Sequence, residues 1–153
     1  MTDRECMLLA LEQARLAAAE GEVPVGAVIT KNGELVSTGR NRREIGKNAL
    51  AHAEIEAIDS ACRALGGWRL WECDMFVTLE PCPMCAGAVI NSRIRRLVYG
   101  ASDSKAGSCG SVINLFDLPY NHKTEVISGF MADECGSLLS GFFTQLRERK
   151  KSE

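Results

Sequence analysis

The sequence predicts an α/β protein: a mixed sheet with helices on both faces. Two observations carry this. An early hairpin is marked by Asn32-Gly33, a turn pair that tolerates the positive φ of tight hairpins. After it, short apolar runs alternate with segments of helical period, which is the order of strands crossed over by helices. No repeat, linker or low-complexity tract interrupts the 153 residues, so one domain, 1–153, is expected.

The elements follow in order. Thr2 with Glu5 fits a capping box, and Met7, Leu11, Ala14 and Ala18 recur at helical spacing until Gly21. Val25, Ala27 and Ile29 make a strand, with Leu35, Val36 and Ser37 on its return. Residues 41–48 are polar and loop-like. A second helix is predicted over 52–65, a buried strand over 75–79, and a third helix from Cys82 that carries Ala86, Val89 and Ile90. A strand at 96–101 leads into a small, polar loop at 102–110 that looks exposed and carries Cys109. A helical turn is expected at 112–116 and a last strand at 124–127. The final helix, 131–150, places Leu138, Leu139, Phe142, Phe143 and Leu146 on its apolar side. Trp68 and Trp71 are read as packing anchors near the end of the second helix.

Composition sets limits. Hydrophobic residues make up 46% and charged residues 25%, which is ordinary for a globular chain. The net charge of −2 gives no global basic field, so a nucleic-acid partner would need a local basic surface or a shaped pocket. Arg40, Arg42, Arg43, Arg93, Arg95, Arg96, Lys105 and the basic 147–151 tail are the available charges, each competing with a plain role as a solvated surface group. Seven cysteines cannot all pair within one chain. Met1-Thr2-Asp3-Arg4-Glu5 has no secretory pattern, and no apolar run reaches membrane-spanning length. A soluble, cytoplasmic protein with reduced thiols is expected, with no membrane partner.

The chemistry concentrates in His52-Ala53-Glu54 and Glu80-Pro81-Cys82-Pro83-Met84-Cys85. Cys82 and Cys85, three apart at a helix start, share a face. The positive end of the helix favours their thiolates. With His52 they form a donor set suited to zinc that leaves a fourth position open, as catalytic rather than structural zinc requires. Zn2+ bound there would acidify a water. Glu54, two residues from His52, is placed to move that water's proton to a leaving group.

Other readings weigh against this one. Cys82 and Cys85 could be a redox pair, but His-Ala-Glu would then be idle. A closed structural zinc site could recruit His122, giving a non-catalytic zinc-stabilised binding module. Cys6, Cys62, Cys73, Cys109 and Cys135 fit packing better than ligation.

H-x-E followed by P-C-x-x-C is an established signature of zinc deaminases acting on nucleobases. The chain resembles the bacterial tRNA-specific adenosine deaminase family within the cytidine/deoxycytidylate deaminase superfamily. The resemblance extends over nearly the whole length. It is strongest at Val23-Pro24-Val25-Gly26-Ala27-Val28, at the two metal motifs, at the 99–107 segment, at Asn121-His122 and at Ala132-Asp133-Glu134-Cys135. It departs from the pattern at Asn48-Ala49-Leu50, where Asp-Pro-Thr is common.

The resemblance implies a cytidine-deaminase-like three-layer α/β/α sandwich with a central mixed five-stranded sheet, and a homodimer with one Zn2+ per subunit. It implies that His52, Cys82 and Cys85 hold the metal and that Glu54 is the proton shuttle. Asn41, Val25 and the Ala53 backbone N–H would meet the target nucleoside. Asp103 and Lys105 would lie on the loop facing the strand of a tRNA anticodon stem-loop. Phe142 and Phe143 match C-terminal-helix positions, with a core role competing. The implied reaction converts the wobble adenosine to inosine, in arginine tRNA with an A-C-G anticodon. Guanine deaminase and cytidine or cytosine deaminase are the enzymatic alternatives on the same motif.

Overall fold

The computed structural model describes residues 1–152; the expected domain end at Glu153 lies outside them. The described residues form ten elements: α1 (Asp3–Ala19), β1 (Gly26–Lys31), β2 (Glu34–Arg40), α2 (Ala53–Leu65), β3 (Cys73–Leu79), α3 (Pro83–Asn91), β4 (Arg96–Ala101), a 3₁₀ turn (Leu115–Asp117), β5 (Glu125–Ile127) and α4 (Ala132–Ser152). Thr2 and Glu5 close the expected capping box on α1. Asn32 and Gly33 both take positive φ, 51° and 80°, in the β1–β2 turn.

The sheet has the order β2-β1-β3-β4-β5. β1 is antiparallel to both β2 and β3, while β3, β4 and β5 run parallel. The two-residue period of the strands sorts side chains between two cores. Val28, Phe76 and Val98 stand side by side in the sheet register. They pack with Met7, Ala10, Leu11 and Cys135 from α1 and α4. Their strand neighbours Ala27, Ile29, Met75, Val77, Leu97 and Tyr99 face the other way, onto Ala53, Ala57 and Ala61 of α2 and Ala86 and Val89 of α3. The result is the expected cytidine-deaminase-like α/β/α sandwich with a mixed five-stranded sheet.

Several local expectations are corrected. Trp68 and Trp71 are not packing anchors; they are 51% and 52% exposed. The chain turns after α2 so that Leu70 between them takes the fully buried position. Arg69 instead lies 4.1 Å over the Trp68 ring. Cys109 is buried, as its packing reading expects, although its loop looks exposed in sequence: the loop folds inward and the Cys109 N–H donates to a Glu80 oxygen. The helical turn begins at Leu115 because the Asn114 side chain accepts from Phe116 N–H and caps it there; Val112 and Ile113 precede it and are exposed. Arg95 and Arg96 are not free basic groups. Both pair with Asp74, and Arg96 also pairs with Asp3 of α1. Arg40 pairs with Glu20.

The topology decides where chemistry can sit. A ligand crevice forms beyond the carboxyl ends of parallel strands. β3 ends at Leu79, directly before Glu80-Pro81-Cys82, and α2 and α3 both begin beside that end.

Candidate active site

His52 is the residue capping the start of α2, and Cys82 caps the start of α3; both have extended backbone. Pro83 occupies the first turn of α3, where its missing N–H costs nothing. Two helix starts therefore point at one spot. Nδ1 of His52 lies 3.7 Å from Cys82 Sγ and 3.5 Å from Cys85 Sγ. The three donor atoms all fall within 4.8 Å of one another, and this group can hold a metal ion. Among the described residues it is the one such cluster. His122, the alternative ligand, is elsewhere: its Nε2 meets the Ile94 carbonyl at 2.7 Å and its ring edges onto Trp71.

The three donors perturb one another's protonation. The Cys82 thiol is lowered to about 4, first by the hydrogen bond that Cys85 donates and then by His52, against the cost of burial. The Cys85 thiol is pushed up by that same hydrogen bond and by burial. His52 is raised, chiefly through its contact with Cys82. Glu54 is 4% exposed, and burial raises its carboxyl to about 7, with the nearby Cys82 charge adding to the effect.

A hollow of about 180 Å³ opens beside these groups. Val25, Asn41, Ala53, Glu54, Cys82 and Asp103 line it. The Ala53 N–H is in the first helical turn and so has no partner within its helix. Asn41 donates to the Val23 carbonyl at 3.2 Å and accepts from Arg43 N–H at 3.1 Å, which fixes its amide at the hollow's edge with bonding capacity left over. Lys105 does not line this hollow. It lies on an adjoining one of about 370 Å³ with Phe143 and Leu139, and Val23, Leu79 and Asp103 are common to both. Phe142 turns away, into a separate groove of about 230 Å³ between α1 and α4 that contains no cluster of titratable groups.

Sequence reasoning missed Val23, Arg43, Leu79, Glu80 and Ala106 in the hollow's wall. It also missed Glu22, a buried acid whose two oxygens accept from Glu44 N–H and Ile45 N–H and hold the loop after β2. Both Glu22 and Glu80 read as ordinary acids in one dimension. The only available signal was a charge inside an otherwise apolar, motif-bearing run.

The chain matches the family model of MafB19-like deaminases over residues 1–147. It is 48% identical over 151 residues to the tRNA-specific adenosine deaminase of Bacillus subtilis (strain 168), covering 98% of this chain and 94% of that protein. The tRNA-specific adenosine deaminase of Haemophilus influenzae is 46% identical over 153 residues, at 99% and 88% coverage. Among solved structures, a protein studied for A-to-I editing by tRNA:A34 deaminases at the wobble position superposes with a TM-score of 0.86 and 44% identity, covering 89% of this chain and 99% of that one. A guanine deaminase from Nitrosomonas europaea gives 0.80 at 28% identity, over 90% and 82% of the two chains. The chain thus belongs to the deaminases, in the family of the tRNA-specific adenosine deaminases.

Proposed function

We propose that the chain is a single catalytic domain that hydrolyses the wobble adenosine of a tRNA anticodon loop to inosine, using one Zn2+ per subunit. The observation that carries this is the meeting of His52, Cys82 and Cys85 beside a buried Glu54 and an open hollow. One imidazole and two thiols match zinc in number and kind, and three protein donors leave a coordination position for water. When bound, the ion supplies a water acidic enough to act as a nucleophile near neutral pH.

The remaining work belongs to the chain's own residues. Adenosine and water become inosine and ammonia, so one proton must leave the water and one must reach the departing amine. Glu54, buried beside the metal donors and lining the hollow, can hold a proton between these two events, and its burial keeps bulk water from intercepting it. The Ala53 N–H and the Asn41 amide orient the base in the hollow. Val25 packs against it. Asp103 borders the hollow, and Lys105 lies where the flanking strand would run. A loop nucleotide is already unpaired, so placing its base in the hollow costs less than from a duplex.

The composition and free cysteines support a cytoplasmic protein. No described helix is long and apolar enough to cross a membrane. The exposed Val112 and Ile113, next to the 103–111 loop, support a homodimer that covers them. Sedimentation tests that point.

The deciding experiment gives zinc-loaded protein an anticodon stem-loop with adenosine at the wobble position, free adenosine and free guanine. Inosine from the stem-loop alone is expected. Deamination of guanine without inosine would place the chain with the guanine deaminases and overturn the proposal.

A further inference from the structure

Glu80 stands between the end of β3 and Cys82, and is 2% exposed. Its carboxylate accepts four hydrogen bonds. Oε1 takes the Asp103 N–H at 3.0 Å and the Ser111 hydroxyl at 2.5 Å. Oε2 takes the Cys109 N–H at 3.0 Å and the Ser111 N–H at 3.1 Å. A carboxylate offers about four lone-pair sites, and all four are filled by donors from one stretch, 103–111. The wrapping is close: a Cβ on Gly107 would overlap the Glu80 carboxyl group. The backbone reinforces it, since Ser108 N–H donates to the Pro81 carbonyl and Glu80 N–H to that of Ala101.

This stretch has no helix or strand of its own, and it supplies Asp103 and Ala106 to the wall of the hollow. One buried side chain therefore sets the distance between the turn that carries Cys82 and the wall that a base would meet. Because its oxygens are all engaged within the protein, Glu80 does not itself touch the substrate's reacting atoms. We propose that Glu80 is a positioning residue for deamination: it holds the 103–111 loop as the substrate wall, so that its loss weakens substrate binding and leaves metal capture and the chemical step largely intact. This rests on the proposed function.

The test compares zinc-loaded wild type with Glu80→Gln, Glu80→Asp, Ser111→Ala and Gly107→Ala. Metal content, steady-state kinetics on the wobble-adenosine stem-loop, and hydrogen exchange at individual amides are measured. Glutamine sets an N–H2 against N–H donors and removes the charge from the remaining bonds. Glu80→Gln should keep its zinc, raise KM about tenfold and lower kcat less than about threefold. The Asp103, Cys109 and Ser111 amides should exchange at least about tenfold faster. Glu80→Asp keeps the charge and should recover part of the lost KM. Ser111→Ala removes the hydroxyl donor and keeps the three backbone ones, so it should raise KM about threefold. Gly107→Ala should mimic Glu80→Gln, and these last two variants keep the question open to decision if Glu80→Gln does not fold.

An unchanged KM with unchanged amide protection overturns the proposal. So does loss of zinc from folded Glu80→Gln, which would make Glu80 part of metal-site integrity. If the wild type is inactive on the stem-loop, the proposed function has failed. Amide exchange then decides this assignment alone: lost protection supports it and retained protection overturns it.

Discussion

Cys85 Sγ lies 3.5 Å from Nδ1 of His52, and Cys82 Sγ lies 3.7 Å from the same nitrogen. Two helix starts, 30 residues apart in sequence, thus converge on one ligand site. Removing one donor should undo it. Cys85→Ala is expected to purify with almost no zinc by elemental analysis. A strong chelator should lower the melting temperature of wild type by roughly 5–10 °C, the linkage expected for an ion held at about a hundred times its Kd. The same chelator should leave Cys85→Ala unmoved. Full metal occupancy in that variant would rule out the ligand assignment.

Glu54 is buried beside this cluster without belonging to it. Its carboxylate is assigned the proton transfers, so Glu54→Gln should retain zinc and fold while kcat falls roughly 10²–10⁴-fold. Metal analysis and inosine formation, run on the same preparation, check both halves. Turnover near the wild-type rate would remove Glu54 from the mechanism.

The site's donors were legible in the sequence because their spacing is local: two cysteines one helical turn apart, and His52 two residues from Glu54. The sheet was legible because its strands alternate, with Val28 and Phe76 facing one way and Ala27, Ile29, Met75 and Val77 the other. What stayed hidden depends on contacts between distant segments. The motif sets Glu80 beside Cys82, but its part is hidden until four donors from 103–111 are seen around it. Trp68 and Trp71 misled because large aromatics usually bury, whereas here Leu70 holds the inward position between them. Arg95 and Arg96 suggested a basic patch, but their partner Asp74 lies 21 and 22 positions earlier, on the adjacent strand.

Gly39 marks where β2 presses on the start of α2. A Cβ there would overlap the Ala53 carbonyl oxygen and come within 2.7 Å of Ala57 N, both helix backbone that cannot swing aside. Gly39→Ala must therefore push the turn carrying His52 and Glu54. A stability loss of about 1–3 kcal/mol is expected from this overpacking, together with weaker zinc binding. A methyl group added at Gly67 would meet nothing within 4 Å, so Gly67→Ala is the control and should change stability by less than about 0.5 kcal/mol. Equal melting temperatures and equal zinc affinity in the two variants would contradict this account.

Asp3 joins α1 to the sheet through Arg96, whose two terminal nitrogens each lie 2.7 Å from one of its oxygens. The Arg96 hydrogen bonds hold the Asp3 carboxyl below the usual range, with partial burial opposing them. A carboxyl depressed in the folded state stabilises fully above its unfolded value of about 3.9. That stabilisation drains as pH falls through the folded value. The melting-temperature gap between wild type and Asp3→Asn should then be constant from neutral pH down to about 5 and narrow below about 4. A gap that stays constant through the acid range would show that the ion pair contributes no titratable stability.

Phe142 and Phe143 are neighbours on α4 whose rings meet edge to face, with centroids 5.5 Å apart, yet they serve different surfaces. Phe142 is half-buried and lines the groove against α1. Phe143 is 40% exposed and lines the hollow that adjoins the one beside Glu54, together with Lys105 and Asp103. The core reading thus fits Phe142 better than Phe143. An exposed ring beside a cation is a stacking surface for a nucleotide flanking the target, and such stacking is worth about 1–3 kcal/mol. Phe143→Ala should raise KM for the stem-loop by roughly tenfold while leaving the melting temperature within about 1 °C. Phe142→Ala should do the reverse, lowering the melting temperature through lost packing with a smaller change in KM. Identical kinetic losses in both variants would mean that α4 acts as one packed unit, and would withdraw the stacking role from Phe143.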